Sequence, residues 1–185
     1  VAEGLMKPRI GEVERNLLPV NHNKTVDIAR LLEIPLMCVH TPADNLVVQH
    51  LEELFREKMP DTVEDVMESL REVPEYAQAE KLNAGPRCIV GKKESKAGKV
   101  FVDMTGGTGG PQEVYPKLAE AGVGTIICMH MGEKHREEAE KNFINVVIAG
   151  HMASDSIGLN IFLDALEEKG MDIEFCSGLI RHSRL

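Results

Sequence analysis

The sequence predicts an α/β fold, with a mostly parallel or mixed sheet flanked by helices. Three observations carry this expectation. Short apolar runs alternate with helix-patterned segments at βαβ spacing through the second half of the 185-residue chain. Two of those runs, Ile126-Ile127-Cys128-Met129 and Val146-Val147-Ile148-Ala149, are continuously apolar, as in a sheet covered on both faces. Helical segments close on glycine, at Gly122 and Gly170, the residue that accepts the left-handed conformation past a helix end.

The elements follow in order. Residues 1–24 are mixed, with a helical turn or two over 11–18 behind Pro8. Residues 25–32 read as a short helix, and 34–39 as a buried strand ending at His40. Residues 41–44 read as a loop, because the residue before Pro42 is pushed out of the helical region. Residues 45–58 form an amphipathic helix with Leu46, Val47, His50, Leu51, Leu54 and Phe55 on one face. Met59-Pro60-Asp61 stops it. Residues 62–73 form another helix, capped by Asp61 or Thr62 with Glu64 or Asp65 in support. Residues 83–99 hold a lysine-rich turn and an edge strand at 87–90. Then come a strand over 99–104, a glycine loop over 105–110, a helix over 111–121 and a strand over 125–129 ending at His130. A charged helix (133–141), a strand (145–149) running through Gly150 to His151, a helix (156–169) and a last strand (173–176) complete the chain. The expectation is one α/β domain over 1–185, divisible into lobes 1–82 and 83–185.

Composition narrows the function. Twenty-one basic against thirty acidic residues give a net charge of −9. That opposes binding to a nucleic-acid backbone, whose affinity comes from Lys and Arg on phosphates. A local basic patch at Arg87, Lys92 and Lys93 reads as a solvated turn. No apolar run approaches the ~18 residues that span a bilayer, so no membrane partner is expected. The four cysteines form no C-x-x-C pair and read as buried free thiols of a reducing cytoplasm. The chain opens on Val1, so it is expected to begin inside a longer gene product.

Three apolar runs end in histidine, at His40, His130 and His151. If the strands are parallel neighbours, the imidazoles share the rim where α/β sheets bind ligands. Asp44 and Asp155 stand four residues after His40 and His151. Imidazole plus carboxylate is a ligand set for zinc, iron or manganese. Ser154 or Ser156 can cap the last long helix and free Asp155 for a metal. His22, His50 and His182 read as structural or surface residues, and His135 defaults to solvent or turns back to the rim. The loop Gly106-Gly107-Thr108-Gly109-Gly110 joins a strand to a helix, so its N–H groups are candidates for binding an anion. It matches neither a dinucleotide fingerprint nor a Walker loop, and tight packing explains its glycines equally well.

Taken together, His40-Thr-Pro-Ala-Asp44, Gly106-Gly-Thr-Gly-Gly110, Met131-Gly-Glu-Lys-His135 and Gly150-His151-Met-Ala-Ser-Asp155-Ser-Ile-Gly-Leu159 resemble the NIF-three-like family (NGG-one-interacting factor three), whose members often carry the label GTP cyclohydrolase I type 2. The resemblance covers residues 25–170. It implies a two-lobed α/β fold, a homo-oligomer in the form of a hexameric ring, and a dinuclear site for two divalent ions. It maps the metal ligands to Asp44, His151 and Asp155, with His40 beside them. Two departures stand out. The family usually has Glu where Asp155 stands, and its adjacent His-His pair has no counterpart here, so that pair is expected before Val1.

Two functions follow from different classes. One is a metal-dependent hydrolase, cyclohydrolase-like or acting on phosphoesters, in which His40, His130 or Glu133 moves protons. Its substrate would be an anionic small molecule or nucleotide at the glycine loop. The other is a non-catalytic oligomer that binds metal or docks a partner.

Overall fold

The computed structural model describes residues 2–17, 23–107, 109–176 and 178–185. The chain divides into two compact units, Val1–Val39 and His40–Leu185.

The first unit holds helices α1 (Ala2–Leu17) and α2 (Lys24–Leu31). Residues 34–39 have no regular secondary structure and pair with no described strand, so the expected buried strand is not formed. Ile34, Leu36 and Met37 are exposed. An apolar run supplies only half of a strand; the ladder needs a neighbour to share its N–H and C=O groups.

The second unit carries the sheet. Its strands are β1 (Arg87–Val90), β2 (Lys99–Asp103), β3 (Val123–Cys128) and β4 (Asn145–Ile148), in the order β1-β4-β3-β2. β2, β3 and β4 run parallel, and β1 closes the edge antiparallel to β4. Alternate residues point to opposite faces. Val102, Ile127 and Val147 pack under helices α3 (His40–Lys58), α4 (Val63–Arg71), α5 (Pro74–Lys81) and α8 (His151–Glu167). Ile126, Cys128 and Val146 pack against α6 (Val114–Glu120) and α7 (Glu133–Lys141). Both faces are covered, which is why the central strands tolerate continuous apolar sequence.

Several boundaries differ from the expectation, each for a local reason. The segment 41–44 is the first turn of α3, not a loop. Proline is welcome in a first turn, where its missing N–H has no partner to lose. α3 then buries Ala43, Val47, Leu51 and Phe55 at a spacing of four. α5 was not foreseen; Pro74 sits in its first turn, and it buries Glu75, Tyr76 and Ala79. α8 begins at His151, five residues earlier than expected. Neither Ser154 nor Ser156 caps it, since their hydroxyls donate to the carbonyls of Gly150 and Met152 inside the helix. Residues 173–176 form no strand. The expected cap of α4 is present: Thr62 Oγ1 accepts from the Asp65 N–H, and the Asp65 carboxylate accepts from the Thr62 N–H at 2.8 Å.

Of the cysteines, Cys128 is buried, Cys88 is half-buried, and Cys38 and Cys176 are exposed, so the reading of buried thiols holds fully only for Cys128. Burial, with the Asp103 charge nearby, pushes the Cys128 thiol up to about 12, which leaves it unreactive. No described helix is long and apolar enough to cross a membrane.

Candidate functional site

β2, β3 and β4 deliver their carboxyl ends to one rim, and α3 and α8 begin there. His151 is the first residue of α8, placed by Gly150 at φ +105. A side chain at Gly150 would also meet the Ala84 carbonyl oxygen at 2.9 Å. His40 is likewise the first residue of α3, so it opens a helix instead of ending a strand. One turn further along each helix stands the acid. His40 Nε2 lies 3.5 Å from Asp44 Oδ2, and His151 Nε2 lies 3.5 Å from Asp155 Oδ2. The site is thus one motif used twice: an imidazole at a helix start and a carboxylate four residues on.

The glycine loop brings the two motifs to a common point. A Cβ built on Gly106 would stand 2.7 Å from His40 Nε2 and 3.2 Å from His151 Nε2, so both nitrogens face the same loop residue. His130, just beyond β3, joins them. Its ring centroid is 5.1 Å from that of His151, and its Nε2 is 3.5 Å from the Gly106 carbonyl oxygen, long for a hydrogen bond.

The electrostatics are unbalanced. Asp44 Oδ1 and Asp155 Oδ1 are buried and have no hydrogen-bond partner. Loss of solvation raises the Asp155 carboxyl above its ordinary value; the His151 charge pulls it back, Asp44 pushes it further up, and His40 pulls it back in turn. A buried, unpartnered carboxylate oxygen is costly, and a cation is the partner that both lack. Two ligands about 2.1 Å from one tetrahedral ion stand roughly 3.4 Å apart. The observed 3.5 Å is longer than a good charge-assisted hydrogen bond. The donor chemistry therefore suits a divalent metal. As they stand the donors form two pairs, and among the described residues no three His, Cys, Asp or Glu side chains form a group that could hold an ion.

A fixed hydrogen-bond chain supports α8 from below. Ser154 Oγ donates to the Gly150 carbonyl at 2.6 Å, so the buried Tyr76 hydroxyl is left to donate to Ser154 Oγ at 2.8 Å. Burial pushes the Tyr76 phenol far up, so it remains a donor. Sequence reading missed Tyr76, because its helix has no clear apolar periodicity and its partner lies 78 residues away.

Other expected residues fall elsewhere. Glu133 is exposed on α7 and accepts from Arg136 at 2.7 and 3.0 Å, and those hydrogen bonds hold its carboxyl below its ordinary value. His135 does turn back to the rim: its Nδ1 is 3.3 Å from the Tyr115 hydroxyl, and a Cβ on Gly109 would stand 3.6 Å from its Nε2. Gly107 and Gly110 border open space. Thr108 and His22 lie outside the described residues. The expected helix over 111–121 starts only at Val114, so a turn separates the glycine loop from α6.

No family sequence model matches the chain, and no curated relative does. Among solved structures, a NIF3 superfamily protein from Sphaerobacter thermophilus is 30% identical, with a TM-score of 0.70 over 91% of this chain and 64% of its own. The chain has the NIF3-like α/β fold of that protein. It spans 64% of that NIF3 relative's length. Weaker likenesses are reduced HcgD from Methanocaldococcus jannaschii (18% identical, TM-score 0.49, covering 69% of this chain and 53% of that one) and a Bacillus cereus protein related to NIF3 (19% identical, TM-score 0.42, covering 67% and 32%). The NIF3-like fold is what sets the carboxyl ends of three parallel strands beside the starts of α3 and α8.

Proposed function

We propose that the chain is the metal-binding part of a divalent-metal-dependent hydrolase acting on an anionic substrate of the nucleotide or phosphoester class. The observation that carries this reading is the pair of orphaned carboxylate oxygens, Asp44 Oδ1 and Asp155 Oδ1, beside two imidazoles that face Gly106. Asp44, His151 and Asp155 hold the metal, and two ions of the zinc, iron or manganese type fit the donor set. When bound, the metal lowers the pKa of a water and so supplies a nucleophile at neutral pH. His40, tied to Asp44, and His130, beside His151, are the groups able to accept and return a proton there. Gly107 borders open space beside the imidazole rim, where the substrate would sit, and His135 lines the far end of the loop at Gly109. The proposal places the protein in the cytoplasm as a homo-oligomer, a hexameric ring, in keeping with the family resemblance.

The test is metal analysis of the purified chain, followed by hydrolysis assays on a panel of nucleotides and phosphoesters. Asp44→Ala and His151→Ala are expected to abolish metal retention while preserving the far-UV dichroism. His135→Ala is expected to keep the metal. Unchanged metal content in either of the first two variants overturns the ligand assignment. Metal retention without turnover on any substrate would favour a binding role over hydrolysis.

A further inference from the structure

We infer that Gly158 is the positioning residue that sets the separation of the two His–Asp pairs, an inference that rests on the metal-site reading above. Gly158 lies in the interior of α8 with ordinary helical backbone, so no unusual φ requires glycine there. Glycine at such a position destabilises a helix relative to alanine. What glycine provides here is close approach. A Cβ at 158 would overlap the Ala43 carbonyl oxygen, and would stand 2.7 Å from the Ala43 carbonyl carbon and 3.0 Å from its Cα. These are backbone atoms of α3, which cannot swing aside as a side-chain tip can.

The location gives the contact its consequence. Ala43 immediately precedes Asp44 and lies three residues after His40. Gly158 lies three residues after Asp155, on the same side of α8. The two helices therefore touch, backbone to backbone, within a turn of both carboxylates. The surroundings are tight: Val47, Ser154 and Ile157 are fully buried beside the contact. Restoring ordinary carbon–carbon contact at about 3.5 Å after adding a methyl group would move the helices apart by roughly 1 Å. Metal–ligand distances tolerate only about 0.2 Å. A shift of that size at the contact exceeds what the ligand set absorbs, even if the fold survives it.

Gly124 provides the matched control. A Cβ there would stand 2.6 Å from the Ala97 carbonyl oxygen and 2.9 Å from Gly98 Cα. The crowding is comparable, but it lies at the start of β3, at the opposite end of the strand from His130. The experiment titrates Co(II) into the unaltered chain, Gly158→Ala and Gly124→Ala, at a temperature where circular dichroism shows all three folded. The visible absorption of the bound ion reports its coordination geometry. Gly124→Ala is expected to lower the melting temperature and leave Co(II) affinity and spectrum unchanged. Gly158→Ala is expected to weaken Co(II) by at least about tenfold and to alter the spectrum. Should Gly158→Ala fail to fold, Ala43→Ser adds one atom to the same helix pair from the α3 side and is expected to weaken Co(II) several-fold. Wild-type affinity and spectrum in Gly158→Ala, or in Ala43→Ser where that variant must stand in, overturn the positioning role alone. Absence of Co(II) binding by the unaltered chain overturns the metal reading and this inference with it.

Discussion

Asp44 and Asp155 each hold one oxygen toward an imidazole and leave the other buried without a donor. In the metal-free chain this arrangement works against the fold. The folded Asp155 carboxyl is raised by lost solvation and by the neighbouring Asp44 charge, so the native state binds its proton more tightly than the unfolded chain does. Stability therefore falls as pH rises through the window above the ordinary carboxylate value. Asp155→Asn is expected to stabilise the metal-free chain at neutral pH, by no more than about 1 kcal/mol because the carboxylate is partly solvated, while losing the metal. Urea denaturation with a chelator present measures the first effect; a less stable Asp155→Asn chain would contradict it. At this scale the recurrence of an acid four residues after His40 and after His151 was legible in the sequence, but that each span is one helical turn was not, because 41–44 read as a loop and 151–155 as the approach to a helix. The contact of His40 and His151 with Gly106 was not, since it joins three segments far apart in the chain.

At the scale of single elements, local chemistry was read well where it closes on itself. The Thr62–Asp65 capping box depends on residues three apart and needs nothing from the rest of the fold. Thr62→Ala is expected to cost about 1 kcal/mol, read as a shift of the urea midpoint at unchanged slope; a cost near zero would show the box to be redundant with the surrounding turn. The apolar runs 34–39 and 173–176 were misread for the converse reason. A strand is a property of two chains of backbone, and neither run finds a described partner. The starts of α3 and α8 were misplaced because Pro42 and the Asp155-Ser156 pair look like signals outside a helix. Both occur inside one, where a first-turn proline and back-bonded serines are tolerated.

For the His40–Leu185 unit as a whole, the C-terminal segment does what no pattern in its sequence announces. Arg181 pairs with Asp164 at 2.6 Å and with Glu167, both on α8, while Arg184 pairs with the fully buried Glu75 of α5 at 2.9 Å. Asn160 donates to Glu75 and to the Ile180 carbonyl, which completes the clamp. Burial alone would raise the Asp164 carboxyl, but hydrogen bonds from Arg181, the Arg184 N–H and Ser183 hold it below its ordinary value. A depressed carboxyl contributes stability above its unfolded pKa and loses it as pH falls through the folded one. Arg181→Met is therefore expected to cost about 3 kcal/mol at neutral pH, the cost of leaving a buried charge short of its partner. The deficit should shrink in acid as Asp164 protonates. Denaturation at neutral pH and in acid tests both parts, and an equal loss at the two pH values would remove Asp164 from the account. The sequence by itself determined the α/β class, the places of the four strands that form (beside two that do not) and the doubled His–Asp spacing, because these rest on local apolar runs and on residues close in the chain. Only the tertiary structure decided that β1 runs antiparallel, that α3 and α8 meet backbone to backbone at Ala43 and Gly158, and that the tail neutralises Glu75 and Asp164. Each of these depends on which surfaces are left unpaired once the other elements have packed, and that quantity is absent from any local stretch of residues.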